Sequence, residues 1–267
     1  MKKALILLCI LCAALLSAST FAAAEEDLAK ATQNPVSDLI SLPFQDNMNF
    51  GYGPNKKIDN VLNIQPVIPI SLNENWNLIT RTILPVISRP ALTTNGKRKT
   101  GTGDLLFTAF LAPKKPGAFI WGVGPALLFP TANPSELGTK KWGIGPSVVV
   151  LKMQNAWVYG ALINNIWSYA GAKNNPSVNL MTLQPFLNYN FPTGWYLTSS
   201  PIITSNWNAN SKNRWTIPLG GGFGKIFSIG KQPMNAQLHA YYNVKKPTQV
   251  GHWTLRLQLQ FLFPKKR

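Results

Sequence analysis

The chain has 267 residues, 45% of them hydrophobic, with 26 Lys plus Arg against nine Asp plus Glu, for a formal net charge of +17. Its only cysteines, Cys9 and Cys12, lie in an N-terminal apolar run that export would remove, which excludes disulfides and cysteine-ligated metals from the mature chain. The basic excess does not read as a nucleic-acid footprint, because export removes the chain from nucleic acid and the cations are scattered through turns.

Lys2 and Lys3, the apolar run from Ala4 to Leu16 and the small residues Ala22-Ala23-Ala24 have the three-part layout of a signal peptide, assigned to residues 1–24. No later apolar run approaches the ~18 residues of a membrane helix. Residues 25–43 are polar and mildly amphipathic, with Pro35 interrupting any helix. They read as a periplasmic leader or short plug. Residues 44–267 read as an all-β domain, a transmembrane antiparallel up-and-down barrel of about 12 strands.

Those strands are expected near 44–53, 61–72, 76–87, 103–112, 118–130, 142–152, 156–169, 178–191, 194–207, 214–227, 234–244 and 252–263. Each is close to the ~9–11 residues that a tilted strand needs to cross hydrocarbon. In the last, Trp253, Leu255, Leu257, Leu259, Phe261 and Phe263 share one parity, and Thr254, Arg256, Gln258 and Gln260 the other. Ala236, Leu238, Ala240, Tyr242 and Val244 alternate in the same way with Asn235, Gln237, His239, Tyr241 and Asn243. Leu183, Leu187, Tyr189 and Phe191 alternate with Thr182, Gln184, Asn188 and Asn190. Residues 76–87 and 156–169 show no clean alternation, as bulged strands would.

Short connections (73–75, 113–117, 153–155, 192–193, 228–233) alternate with longer ones (54–60, 88–102, 131–141, 170–177, 208–213, 245–251). Outer-membrane barrels have short periplasmic turns and longer outer loops, so both termini are expected in the periplasm of a Gram-negative bacterium. All nine tryptophans fall near strand ends: Trp76, Trp121, Trp142, Trp157, Trp167, Trp195, Trp207, Trp215 and Trp253. They are expected to form the two aromatic girdles at the membrane–water interfaces.

The text QNPVSDLISLPFQDNMNFGYGP (33–54), VLNIQPVIPISLNENWNLITRTILPVI (61–87), GTGDLLFTAFLAP (101–113), GWYLTSSPIITSNW (194–207), WTIPLGGGFGK (215–225) and RLQLQFLFPK (256–265) resembles a bacterial outer-membrane family. It is the MetA-pathway-of-phenol-degradation type of proposed transporter, often labelled neuromedin U. The resemblance covers nearly all the mature chain and implies an outer-membrane barrel, with an aromatic solute suggested by the family's label. It brings no catalytic residue. Phe263 is followed by Pro264-Lys265-Lys266-Arg267, so an assembly signal carried by a terminal aromatic would be internal here.

Gly220 to Lys225 (GGGFGK) fails the spacing of a phosphate-binding loop, since Leu219 stands where the first glycine belongs and Ile226 follows the lysine. A bend, or room for something packed inside, is the better account. No acid follows Glu136, so His239 has none in the late strands to complete a hydrolytic triad with Ser177 or Ser205. No enzyme activity, metal or cofactor is expected.

The expected lumen wall is polar and weakly cationic: Arg256 and Arg81 with Gln184, Asn188, Gln237, His239, Tyr241, Asn243, Gln258 and Gln260. Such a wall favours neutral polar or anionic solutes. The expected outer loops are basic, through Lys56, Lys57, Arg89, Lys97, Arg98, Lys99, Lys140, Lys141, Lys173, Lys212, Arg214, Lys245 and Lys246. They suit the phosphates of lipopolysaccharide in the outer leaflet. The expected function is a passive channel for small solutes, assembled by the barrel-assembly machinery through its last strand. The alternative is a closed structural barrel that contacts the envelope through its loops.

Overall fold

The computed structural model describes residues 25–264; the signal-peptide assignment and Lys265 to Arg267 lie outside the described residues. One sheet contains β1 (Ile40–Tyr52), β2 (Lys57–Ile64), β3 (Val67–Ser71), β4 (Trp76–Arg89), β5 (Lys99–Thr102), β6 (Leu105–Pro113), β7 (Ile120–Phe129), β8 (Lys141–Gln154), β9 (Trp157–Gly171), β10 (Asn179–Asn190), β11 (Trp195–Ser199), β12 (Ile203–Asn206), β13 (Trp215–Ile229), β14 (Gln232–Lys245) and β15 (Trp253–Phe263).

Three pairs of these segments are single strands with an interruption. β2 and β3 both pair with β1 and β4, β5 and β6 both pair with β4, and β11 and β12 both pair with β10 and β13. Two of the breaks fall at Gln65-Pro66 and at Ser200-Pro201-Ile202, where a proline removes a ladder donor. The wall therefore has 12 strands, all antiparallel, and β1 closes it on β15 from Ile40↔Phe263 to Phe50↔Trp253. Closure leaves no edge of unpaired backbone, which is what lets a sheet sit in lipid. It also brings the start of the first strand and the end of the last to one end, here called the terminal end.

β1 starts at Ile40, four residues before the strand expected from the sequence. Pro43 argues against a strand when read alone. It falls opposite the β2–β3 interruption, between the register pairs Ser41↔Val67 and Phe44↔Ile64, where no ladder donor is required of it.

The outer face is apolar. Along β8, Trp142, Ile144, Val148 and Val150 are exposed, while Gly143, Gly145, Ser147, Val149 and Leu151 are buried inside. Aromatic contacts cluster at the two ends: Trp76 on Trp121 and Trp157 on Tyr189 at the terminal end, Trp207 on Trp215 and Trp253 on Tyr242 at the loop end. The Lys225 ammonium lies 5.0 Å from the Trp195 ring, a cation–π contact beside the terminal-end turn.

One acid interrupts this face. Asp46 shares the outward parity of Phe44 and Met48, lies across from Leu257 and Leu62, and accepts a 2.6 Å hydrogen bond from Asn60 Nδ2. Replacing the pair together, Asp46→Leu with Asn60→Val, is expected to stabilise the barrel in liposomes by about 1 kcal/mol. Urea unfolding followed by tryptophan fluorescence reads the midpoint, and a lower midpoint refutes the placement of Asp46 toward lipid.

Inside, the two arcs of the wall differ. On one, Ile79, Phe110, Ala112, Val149, Leu151, Val158, Leu162 and Phe186 pack into an apolar cluster that takes in Val36 of the leader. This explains the lack of clean alternation in 156–169, where the register with β8 also shifts between Trp142↔Ala170 and Gly143↔Ser168. β9 sends Val158, Leu162 and Ile166 inward and Trp157, Tyr159, Ile163 and Trp167 outward, so both of its faces are apolar. The other arc, from β14 through β15 and β1 to β2, points Asn, Gln, His and Arg inward.

The leader enters the barrel from the terminal end. Residues 25–33 are helical, and Ala29 is buried with Leu39, Tyr196, Ile226 and Leu262. Gln33 and Asn190 exchange two side-chain amide hydrogen bonds, at 2.7 and 3.1 Å. Tyr196, whose hydroxyl bonds Asn235 at 2.5 Å, occupies the space left by Gly224, where an added Cβ would come within 2.3 Å of its ring. That gives the glycine run its use as room for a packed side chain. Gly224→Ala is expected to destabilise the barrel by about 1–3 kcal/mol through overpacking. The readout is a lower melting temperature of the heat-modifiable band in gels; an unchanged one shows that Tyr196 simply moves aside.

Candidate functional site: the polar arc of the lumen

The apolar cluster packs the lumen beside β6 to β9, and two cavities lie along the polar arc. The inner cavity, about 150 Å³, is bounded by β1 (Ser41, Pro43, Gln45), by Gln65, Val67 and Arg81, by Gln184, Phe186 and Asn188 of β10, and by Gln237, Arg256, Gln258 and Gln260. Its floor is the leader, through Ala31 to Pro35, Ser37 and Leu39. A second cavity of about 230 Å³ lies toward the loops, lined by Asn47, Asn49, Thr216, Tyr241, Asn243 and Thr254, among others. Arg256 borders both.

Arg256 is only 5% exposed, yet its position is well defined. Its Nε donates to Asn47 Oδ1 at 2.9 Å, Nη1 donates to the Ser200 carbonyl at 3.0 Å, and the guanidinium lies 4.9 Å from the Tyr241 ring. Ser200 reaches it because the β11–β12 interruption frees that carbonyl from the ladder. Arg256 and Tyr241 thus form a septum between the two cavities. Arg81 is held differently: its Nη2 donates to Gln65 Oε1 at 2.6 Å, and Gln65 Nε2 donates to Gln45 Oε1 at 3.2 Å. Among the described residues, neither arginine has a carboxylate within ion-pair distance.

Of the residues expected along the lumen, Arg81, Gln184, Asn188, Gln237, Gln258 and Gln260 border the inner cavity, while Tyr241 and Asn243 border the outer one. His239 borders neither. It is buried in the wall, stacked on Tyr241 with ring centroids 5.7 Å apart, and 3.4 Å from Thr198 Oγ1. Ser205 lies on the other side of the sheet, in register with outward Met181 and Trp215, and Ser177 meets Asn208 in the loops. Neither of these serines is therefore brought to His239. Sequence reasoning missed Gln45 and Asn47. The polar parity of Ser41, Gln45, Asn47 and Asn49 was a usable signal, masked by Asp46 on the opposite parity.

At the loop end, several of the basic residues are engaged. Arg98 donates to the Ser88 and Ile58 carbonyls at 2.6 and 2.8 Å, stitching β2 to β4, and Arg89 pairs with Asp59 at 2.9 Å. Lys99 pairs with Glu136 across two loops. The Lys99 hydrogen bond holds the Glu136 carboxyl below its ordinary range. The small contribution of this exposed pair is present above the ordinary carboxylate range and is lost as pH falls through the depressed value. Lys97 and Lys245 are exposed, while Lys140, Lys141 and Lys246 are half-buried.

A closed 12-stranded barrel with an apolar outer face, aromatic ends and a polar passage on one arc is an integral membrane β-barrel. No family model and no curated protein matches the sequence. Among solved structures, it is similar to an outer membrane channel from Pseudomonas putida F1, at 18% identity and a TM-score of 0.64, over 84% of this chain and 94% of that one. The two share the fold. Weaker likenesses include the monoaromatic hydrocarbon channel CymD, at 11% identity and a TM-score of 0.47 over 91% of this chain and 92% of that one. Outer membrane phospholipase A from Escherichia coli matches at 12% identity and a TM-score of 0.42, over 88% and 95% of the two chains.

Proposed function

We propose that this protein is an outer-membrane channel through which small neutral polar or anionic solutes diffuse passively. The observation that carries the reading is the pair of cavities along the polar arc, meeting at Arg256, the inner one floored by the leader. The termini and the leader lie at the periplasmic end in this reading, and the longer loops outside. Lys97, Lys140, Lys141, Lys245 and Lys246 meet the phosphates of the outer leaflet, with the outer Trp142, Trp167, Trp207, Trp215 and Trp253 just below them. The last strand engages the assembly machinery. No catalytic role is assigned, a reading supported by Ser205 and His239 lying on opposite faces of the sheet.

The seat of the leader between Tyr196, Ile226 and Leu262 favours a closed resting form, so the structural alternative is the same barrel with a leader that never leaves. Planar-bilayer recording of the folded mature protein tests the proposal. Discrete openings support it. Silence both with and without the leader, from protein shown to be folded, overturns it in favour of the structural role.

A further inference from the structure

The inner cavity is chemically lopsided in a way that simple sieving does not need. Arg81 commits one N–H to Gln65 Oε1, and Arg256 commits two, to Asn47 Oδ1 and the Ser200 carbonyl. A guanidinium has five N–H donors. The remainder belong to two arginines that border one cavity and have no carboxylate in ion-pair range among the described residues. Buried charge without a counter-charge is costly, and an anion bound between the two groups removes that cost.

The rest of the lining limits which anion fits. Phe186, Val67, Leu39 and Pro43 face the same cavity, and Phe186 continues into the apolar cluster with Phe110 and Ile79. An inorganic ion leaves those surfaces without a partner. Glutamine side chains at 184, 237, 258 and 260 supply neutral donors and acceptors without adding negative charge. At about 150 Å³, the space matches that of an engineered protein cavity that holds benzene. A compact ring or short branched chain suits it; a fatty acyl chain does not.

We infer that the inner cavity is a saturable binding site for a small amphipathic organic monoanion, a carboxylate on a compact apolar body. The carboxylate lies between Arg81 and Arg256, and the apolar body lies against Phe186 and Val67. This deepens the channel reading and rests on it for the route of access, which passes the Arg256–Tyr241 septum from the outer cavity. Guanidinium–carboxylate recognition supplies orientation as well as energy.

The test is isothermal titration of the full mature protein, folded in a non-ionic detergent, with benzoate, benzamide and acetate. Saturable binding of benzoate, with acetate and benzamide each weaker by about tenfold or more, is the expected result. Arg81→Gln and Arg256→Gln each weaken benzoate by about tenfold, and Arg81→Lys recovers part of the loss. Heat-modifiable mobility checks the fold of each variant. Equal binding of benzoate and benzamide, or benzoate binding unmoved in folded variants of both arginines, overturns the site. Conductance of the same preparations separates the two readings: openings without benzoate binding sink the site alone, and benzoate binding by a barrel silent with and without its leader sinks the channel and leaves the site standing.

Discussion

Deleting residues 25–39 from the mature chain is expected to raise conductance in planar bilayers several-fold and to shift the channel from brief openings to long ones. The leader has no strand pairing of its own before β1 starts at Ile40, so its removal leaves every ladder of the barrel intact. What holds it is a small apolar cluster around Ala29 and Tyr196, the Val36 contact and the reciprocal amide pair between Gln33 and Asn190. Breaking that pair by Gln33→Ala removes about 1 kcal/mol of net hydrogen bonding. It is expected to raise the open fraction roughly fivefold, as 1.4 kcal/mol is a factor of ten. A deletion variant that folds and conducts like the full-length protein shows that the leader is not the barrier.

Reversing the charge at the septum, Arg256→Glu, is expected to turn an anion-preferring channel into a cation-preferring one. Arg256 borders both cavities, so an ion passing between them comes close to its guanidinium. At ~6 Å and an effective dielectric between protein and water, a unit charge contributes about 1 kcal/mol. Changing its sign moves each ion by about 2 kcal/mol and, because anions and cations move oppositely, the balance between them by about 4 kcal/mol, or roughly 700-fold in the permeability ratio. Reversal potentials in a potassium chloride gradient read this directly, with Arg256→Gln expected to fall between the two. Because Arg81 remains, the reversed channel keeps some affinity for anions in the inner cavity. An unchanged reversal potential in open, folded Arg256→Glu channels refutes the septum.

The fold was legible because the membrane imposes a code with few exceptions. Alternation in 234–244 and 252–263, alternating short and longer connections, and tryptophans near strand ends all derive from lipid outside and polar groups inside. What stayed hidden is local. β9 is apolar on both faces because its inner side meets other side chains rather than solute, and alternation vanishes wherever the lumen is packed. β1 begins four residues before the expected strand, because Pro43 sits opposite the β2–β3 interruption, a place that only the partner strand reveals. Asn47 and Gln65 hold the arginines and Gln45 accepts from Gln65, contacts that only the register brings within range. The cavities border both Gln237 and Tyr241 of the alternating 234–244 segment, and their part in permeation is what the septum variants test.

The two arcs of the lumen also divide the labour of evolution. Substitutions at Val149, Leu162 or Phe110 act on how well the barrel assembles, because those residues touch one another and the leader. Substitutions at Gln237, Gln258 or Gln45 are expected to act on what the cavity accepts, since they border open space. In the channel reading, a lineage can change what the passage accepts through the arc from β14 to β2, while selection for foldability acts on different strands. Barrels descended from such an ancestor are expected to drift fastest along the arc that touches solute, and to keep volume and greasiness along the arc that does not.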